Sequence, residues 1–326
     1  MKIFVTRQIP DQGIKMLKNK KYQLQIYPKD QIIPRAELLK SVKGVDALLS
    51  LLTDKIDEKL FQAAGPQLKV VANYAVGFDN INLEAAKKRK VLITNTPAPE
   101  VTETVAEHTF ALIISLAHHI PEADRFAKAG KYKGWNPNLL LGADIYNKTL
   151  GIVGMGRIGF ALAQRAVKGF KMKVIYHDIK PNPDFEKEYS SKLVDLPTLL
   201  KQSDFISLHV PLLPTTRHLM SHQQFKLMKP TAYLINTSRG PVVDEKALLV
   251  ALKKKQIAGA GLDVFECEPL IDCDIHDSLA LKNFDNVILT PHIASASLET
   301  RQAMSRLAAE NIIAALEGKT PPNLAK

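Results

Sequence analysis

The sequence contains very little cysteine, two residues in 326, and a single tryptophan. No CxxC pair and no histidine at ligand spacing accompany Cys267 and Cys273, so we expect free thiols, no disulfide framework and no metal site. No apolar run approaches the roughly 20 residues that a membrane helix needs. The N-terminus, MKIFVTRQIP, has the pattern of an amphipathic strand and not of a secretory signal. We therefore expect a cytoplasmic protein without membrane partners.

Acidic residues are scarcer than basic ones, which gives a formal net charge of +11. The lysines are spread over predicted helix faces, for example at residues 87–90 and 253–255. No basic motif interleaved with aromatic residues accompanies them, so we expect a solvated basic surface and no nucleic-acid partner. A positive field still favours the capture of small acidic molecules.

A glycine-rich motif is the strongest chemical signal in the chain. Thr149–Gly159 reads TLGIVGMGRIG and spaces Gly154, Gly156 and Gly159 as G-x-G-x-x-G after a predicted strand. Such a turn lets the backbone approach a pyrophosphate, which the N-terminus of the following helix then binds. Asp178 ends the next predicted strand, about 20 positions on, where a carboxylate holds the adenosine ribose and favours NAD over NADP. The motif predicts a dinucleotide site with NAD as cofactor.

Short apolar runs alternate with amphipathic helical runs along the chain, a pattern typical of parallel sheets with helical crossovers. We predict an α/β fold with two doubly wound, parallel-sheet, Rossmann-like domains joined by hinge helices. Residues 1–100 plus 296–326 are predicted to form the substrate domain, because a long amphipathic helix near the end of the chain is expected to return there. Residues 101–295 are predicted to form the NAD-binding domain.

Histidines cluster on one predicted helix, over residues 101–128, at positions 108, 118 and 119. No carboxylate cluster or metal spacing accompanies them, so we interpret them as packing or surface residues. Residues 131–145 indicate an irregular arm that carries Trp135, which suits a subunit contact, a substrate pocket or plain packing.

Three later strands are predicted to end in ionisable residues: Arg239 in NTSRG, Glu268 in DVFECEP and His292 in PHIAS. The carboxyl ends of parallel strands meet at one sheet edge, so we expect these side chains to converge. A guanidinium can bind a carboxylate and polarise a carbonyl, an imidazolium can donate a proton, and a carboxylate can orient the imidazole. Each residue alone also fits a structural role, but the set favours chemistry on a 2-oxo acid.

A further loop, NYAVGFDN, follows a predicted buried strand in the first part of the chain. The glycine after Val76 would leave the backbone N–H groups of Val76 and Gly77 free to bind a substrate carboxylate.

The motifs GIVGMGRIG, LHVPLLPTTRHL, LINTSRGPVVDEKAL, AGLDVFECEP and LTPHIASA together resemble the D-isomer-specific 2-hydroxyacid dehydrogenases over nearly the whole chain. NYAVGFDNI and LLGADIYNKTLGIVG are most similar to the glyoxylate reductase/hydroxypyruvate reductase branch. The resemblance implies a homodimer, substrate binding at Val76 and Gly77, and catalysis by Arg239, Glu268 and His292. It also implies cofactor contacts from Arg157, Ile158, Asp178, Val210, Pro211, Thr216, Thr237, Ser238 and, at the nicotinamide amide, Asp263.

We therefore predict NAD-dependent reduction of glyoxylate or hydroxypyruvate, with His292 as the proton donor. One alternative is a D-lactate or other D-2-hydroxyacid dehydrogenase, although Leu51, Leu52 and Trp135 suggest a small pocket. The alternative outside enzymes is an NADH-sensing, corepressor-like binding protein with little turnover.

Overall fold

The computed structural model describes residues 1–268 and 279–325. The chain divides into two compact units, one formed by residues 1–101 with the residues from 296 onward, the other by residues 102–268 with the described residues up to 295. In the described ranges, no helix combines the length and the apolar character needed to span a bilayer.

The first unit is built on a five-stranded sheet in the order β2-β1-β3-β4-β5, with every strand pair parallel. Its elements are β1 (Lys2–Val5), α1 (Asp11–Asn19), β2 (Gln23–Ile26), α2 (Arg35–Ser41), β3 (Ala47–Ser50), α3 (Glu58–Ala64), β4 (Val70–Asn73), α4 (Leu83–Lys88), β5 (Leu92–Thr94) and the last helix of the chain, α12 (Leu298–Leu316).

Local sequence explains several of these boundaries. Asp57 and Asn82 precede α3 and α4, and each side chain accepts a hydrogen bond from a backbone N–H of the first helical turn. Helix α12 lies against α1, where the Ser305 hydroxyl accepts from Gly13 N at 3.0 Å and donates to Pro10 O at 2.5 Å. The final helix is thereby held by the first helix of the same unit.

The second unit contains a seven-stranded parallel sheet in the order β12-β11-β10-β9-β6-β7-β8. Helix α5 (Pro99–Ala117) leads into it, followed by α6 (Ile120–Lys128), β6 (Thr149–Val153), α7 (Arg157–Phe170), β7 (Lys173–His177), α8 (Pro183–Tyr189), β8 (Lys192–Leu193), α9 (Leu196–Gln202), β9 (Phe205–Leu208), α10 (His222–Leu227), β10 (Tyr233–Asn236), α11 (Glu245–Lys253), β11 (Gly259–Leu262) and β12 (Val287–Leu289). Short 3-10 segments cover Gly240–Val242 and Leu279–Asn283.

Alternate residues of the central strands of this sheet enter two different apolar layers. Leu150 and Ile152 of β6 pack with α5 and α7, whereas Val153 joins the layer formed with α9, α10 and α11. A parallel sheet covered by helices on both faces is the doubly wound arrangement, and its strand order reverses between β6 and β9. The predicted fold class is confirmed, and ligands are expected at the carboxyl ends of β6 and β9.

Two sequence-based expectations need correction. The predicted helix over residues 101–128 is two helices, because His119 adopts a left-handed conformation (φ 53°) and Pro121 stands in the first turn of α6. Cys267 is disulfide-bonded, so the free-thiol prediction is wrong for that residue, and Cys273 lies outside the described residues. The lack of a CxxC pair does not exclude a disulfide between cysteines at another spacing.

Candidate active site

The glycine turn lies between β6 and α7. Gly154 has φ 98°, and a Cβ there would stand 2.6 Å from the carbonyl oxygen of His209, so only glycine fits. Helix α7 begins after Gly156 with no side-chain cap and no acidic residue in its first turn. A Cβ at Gly156 would meet no described atom within 4 Å, so packing does not demand glycine there. The open, uncapped N-terminus of a 14-residue helix fits a diphosphate.

Asp178 follows β7 and is anchored against this turn. Its Oδ2 accepts from Met155 N at 2.7 Å and its Oδ1 from Ile179 N at 2.6 Å. The carboxylate is therefore fixed next to the glycine turn and retains lone pairs for a ribose diol. Of the other predicted contacts in this turn, Arg157 is exposed and Ile158 is half-buried. Turn and carboxylate together fit the diphosphate and ribose of a dinucleotide.

The loop after β9 contains three more predicted cofactor residues. Val210 and Pro211 follow the strand directly, and Val210 packs partly against one apolar layer of the unit. The Thr216 hydroxyl donates to Pro211 O at 2.6 Å and accepts from Leu213 N at 2.8 Å, which closes the loop on itself. The structure brings Val210 next to Gly154, since the Val210 side chain is 3.0 Å from where a Cβ of Gly154 would be.

His209, in the same loop, is a histidine to which the sequence pattern assigns no role. Its Nε2 is 2.8 Å from the Ser207 hydroxyl oxygen, and burial lowers its pKa to about 4. The imidazole is therefore neutral at pH 7 and does not serve as a proton donor there.

Thr237 and Ser238 lie in the turn after β10. The Thr237 hydroxyl is 2.8 Å from that of Thr109 on α5. The side chain of Asn236 organises the turn: its Oδ1 accepts from Ser238 N at 3.0 Å, and its Nδ2 donates to Arg239 O at 2.9 Å. Asn236 is buried at the strand end, so this turn has little freedom to rearrange.

Arg239 is half-buried and donates from Nη1 to Ser238 O at 2.8 Å. The next residue, Gly240, allows an unusually close approach of two loops, because a Cβ there would lie 1.7 Å from the carbonyl oxygen of Phe265. The turn carrying Arg239 is thereby packed on the loop that leads to Glu268.

Glu268 and His292 form a direct pair. Nδ1 of His292 is 2.5 Å from Oε2 of Glu268, and both side chains are mostly buried. With Nδ1–H donated to the carboxylate, Nε2 is the ring nitrogen that remains for a substrate. Arg239, Glu268 and His292 follow β10, β11 and β12, which are neighbours in the sheet.

Asp263, predicted to contact the nicotinamide amide, makes hydrogen bonds to the turn that carries His292. Its Oδ1 accepts from the Thr290 hydroxyl at 2.6 Å and from Ile293 N at 2.8 Å, and its Oδ2 accepts from Ala294 N at 2.8 Å. The carboxylate is fully buried. Asp263 therefore organises this turn. Its contact with the nicotinamide amide, through a lone pair not used in these hydrogen bonds, stays a prediction.

In the first unit, Val76 and Gly77 follow β4 in a loop held by two asparagine side chains. Asn95 Nδ2 donates to Val76 O at 2.6 Å, and Asn73 Nδ2 donates to Gly77 O at 3.0 Å. In the described part of the chain, the N–H groups of Val76 and Gly77 have no acceptor. With their carbonyls tied back, these amides suit an anion.

Among residues 1–268 and 279–325, no group of three or more His, Cys, Asp or Glu side chains could hold a metal ion.

Comparisons with known proteins identify relatives of this chain. A family model described as D-isomer specific 2-hydroxyacid dehydrogenase, NAD binding domain, matches residues 110–294. The chain is 50% identical to the glyoxylate reductase of Thermococcus litoralis, over 99% of this chain and 96% of that protein. The crystal structure of the TT0316 protein from Thermus thermophilus is 40% identical with a TM-score of 0.90, covering 100% of both chains. That of D-lactate dehydrogenase from Aquifex aeolicus, complexed with NAD and lactic acid, is 32% identical with a TM-score of 0.88, over 100% and 99% of the two chains.

The glycine turn, the adjacent carboxylate and the His–Glu pair at one sheet edge define an NAD-dependent dehydrogenase. The chain belongs to the D-isomer specific 2-hydroxyacid dehydrogenase family. Its cofactor is NAD.

Proposed function

We propose that this protein reduces glyoxylate, and with it hydroxypyruvate, to the corresponding 2-hydroxy acid. The relatives that share 50% of its residues over nearly the full length are named glyoxylate reductases. The observation that carries the proposal is the 2.5 Å contact between His292 Nδ1 and Glu268 Oε2, at the same sheet edge as Arg239. Bound NADH would supply the hydride to the carbonyl carbon.

The protein's own residues would then handle the substrate's charge and proton. His292, protonated on both ring nitrogens, donates the Nε2 proton to the carbonyl oxygen while Glu268 keeps hold of Nδ1–H. The contact with Glu268 orients the ring during the transfer. Arg239 offers fixed guanidinium donors to the substrate carboxylate.

For the substrate carboxylate, the N–H groups of Val76 and Gly77 remain proposed binding groups. Leu51 and Leu52, half-buried directly after β3, remain proposed as walls of a small pocket. Asn80 Nδ2 donates to Leu51 O at 3.0 Å, and Asn80 Oδ1 accepts from Asn73 Nδ2 at 3.1 Å. The segment at Leu51 and the loop at Gly77 therefore share one hydrogen-bond network.

The experiment is a turnover screen that monitors NADH absorbance with glyoxylate, hydroxypyruvate, pyruvate and phosphohydroxypyruvate. We expect the highest kcat/KM with glyoxylate or hydroxypyruvate. A clear preference for pyruvate would favour a D-lactate dehydrogenase. Tight NADH binding with no turnover of any of the four would contradict an enzymatic role and favour a nucleotide-sensing binding protein.

Cofactor preference gives a first specific prediction, because the Asp178 carboxylate would repel the 2′-phosphate of NADPH. Asp178→Ala should lower the ratio of kcat/KM with NADH to that with NADPH by about tenfold or more, since like charges about 4 Å apart interact with roughly 1–4 kcal/mol near a protein surface. Asp178→Asn separates charge from structure, because its amide oxygen can still accept from Met155 N while the negative charge is lost. Both variants should relax the preference. An unchanged ratio in both would remove Asp178 from cofactor discrimination.

We also propose that the protein is a homodimer located in the cytoplasm. The dimer is supported by residues 131–145, which contain no helix or strand and expose Trp135 (84%) and Leu141 (68%). Large apolar side chains at this exposure are typical of contact surfaces.

A further inference from the structure

The turn that carries His292 adopts an uncommon backbone conformation. His292 has φ 53°, a left-handed value that is uncommon for a residue with a Cβ. Contacts to this turn come from Asp263: its carbonyl accepts from His292 N at 2.9 Å, and its carboxylate binds the amides of Ile293 and Ala294. The position of the His292 imidazole therefore depends on the orientation of the Asp263 side chain.

A second histidine reaches the same carboxylate from another element. His108 lies on α5, and its Nε2 is 3.1 Å from the Thr290 hydroxyl oxygen and 3.5 Å from Asp263 Oδ1. Its side chain is only 20% exposed. The Thr290 hydroxyl has a single proton. At 2.6 Å it donates this proton in a hydrogen bond to the Asp263 carboxylate, which acts as the acceptor. Thr290 must then accept from His108, so Nε2 of His108 carries a proton.

We propose that His108 is a positioning residue for the proton donor. It acts through a directed chain in which His108 Nε2–H donates to Thr290, the Thr290 hydroxyl donates to Asp263, and Asp263 holds the backbone of residues 292–294. His108 touches neither substrate nor cofactor in this scheme. The proposal rests on the proposed function, because holding His292 in place matters to turnover only if His292 delivers the proton.

The same series of hydrogen bonds also provides donors to the buried Asp263 carboxylate. Two amides and one hydroxyl donate to its carboxylate, and the imidazole of His108 lies 3.5 Å from its Oδ1. Without the His108 donor, the Thr290 hydroxyl is free to rotate away from Asp263. The turn then loses one of the contacts that keep His292 left-handed, and a small displacement of a reacting group is costly to rate.

The test compares His108→Leu with His108→Gln, whose amide nitrogen can replace the imidazole Nε2–H donor. His108→Leu should lower kcat by about 10- to 100-fold, since misplacement by about 1 Å can cost about 100-fold. The KM for the 2-oxo acid and the Kd for NADH should stay close to wild type, and His108→Gln should recover most of the rate. His118→Leu is the matched control, because His118 is exposed near the end of the same helix.

A double-variant comparison tests whether the contacts act in series. Thr290→Val removes both hydroxyl contacts with little change of shape, and should reduce kcat as His108→Leu does. Adding His108→Leu to Thr290→Val should then lower kcat hardly any further, because the hydrogen-bond series through Thr290 is already interrupted. Independent losses that multiply would overturn the proposal. If His108→Leu fails to fold, Thr290→Val by itself tests the same series of contacts through its effect on kcat.

Imidazole nitrogen NMR on the cofactor-free protein gives a readout independent of activity. With ¹⁵N-labelled histidine, we expect His108 to carry its proton on Nε2 and the His292 ring signals to shift in His108→Leu. An inactive wild-type protein with these signals would contradict the proposed function and leave the His108 assignment standing. Wild-type kcat in His108→Leu, or His108→Gln as slow as His108→Leu, would overturn the positioning role.

Discussion

Replacing His292 with glutamine is expected to lower kcat by about 10²- to 10⁴-fold, the usual contribution of a general acid. The glutamine amide can still donate to Glu268, but it has no proton to release near neutral pH. NADH binding should be nearly intact, because the turn at Gly154–Gly159 and the carboxylate of Asp178 belong to other loops. Initial-rate measurements and a fluorescence titration of NADH distinguish the two effects.

The chain contains a matched control for this variant. His218 Nε2 is 2.6 Å from Glu266 Oε1, so it forms a second His–Glu pair, and Glu266 lies just before Glu268 in the same loop. That pair is more exposed, and exposed ion pairs contribute about 0–1 kcal/mol. His218→Gln should change kcat by less than about fivefold. Equal losses in the two variants would show that any disturbed His–Glu pair disrupts this loop, and unchanged turnover in His292→Gln would exclude His292 as the acid.

Much of the fold and several site residues are predictable from local pattern. The G-x-G-x-x-G motif predicts a tight turn with glycine in a left-handed conformation, and Gly154 does have a positive φ. Helix α12 begins and ends where its apolar periodicity begins and ends, at Leu298 and Leu316. Arg239, Glu268 and His292 could be grouped because parallel strands present their carboxyl ends at one edge.

The residues that hold the site in shape could not be found in this way. Asn73 and Asn236 appear in the sequence as ordinary strand ends, yet each is buried and its side chain organises the following turn. His108 lies 182 positions from its partner Thr290, and nothing in its helical neighbourhood indicates that contact. Such contacts follow from tertiary packing and leave no periodic signal, although a buried asparagine at the end of a parallel strand is a clue to a structured turn.

Replacing Arg239 with glutamine is the second variant expected to have a large effect. Removing one partner of a hydrogen-bonded charge pair in a desolvated site typically costs about 2–5 kcal/mol, which corresponds to a fall in kcat/KM of about 30- to 5,000-fold. We expect most of this loss in the KM for the 2-oxo acid. A lower kcat should accompany it, since the guanidinium also polarises the carbonyl. Arg125→Gln is the charge-matched control, because Arg125 forms an exposed pair with Asp285 at 3.3 Å.

The cause of the Arg239 effect can be isolated with a substrate that lacks the carboxylate, such as acetaldehyde. The wild-type protein should strongly prefer glyoxylate over this aldehyde, and Arg239→Gln should retain much less of that preference. If Arg239 instead only supports the loop through Ser238 O, both substrates should lose rate by the same factor. Because the comparison is made within each variant, a general loss of active protein cancels from the ratio. A ratio that stays at the wild-type value would therefore assign carboxylate binding to other groups.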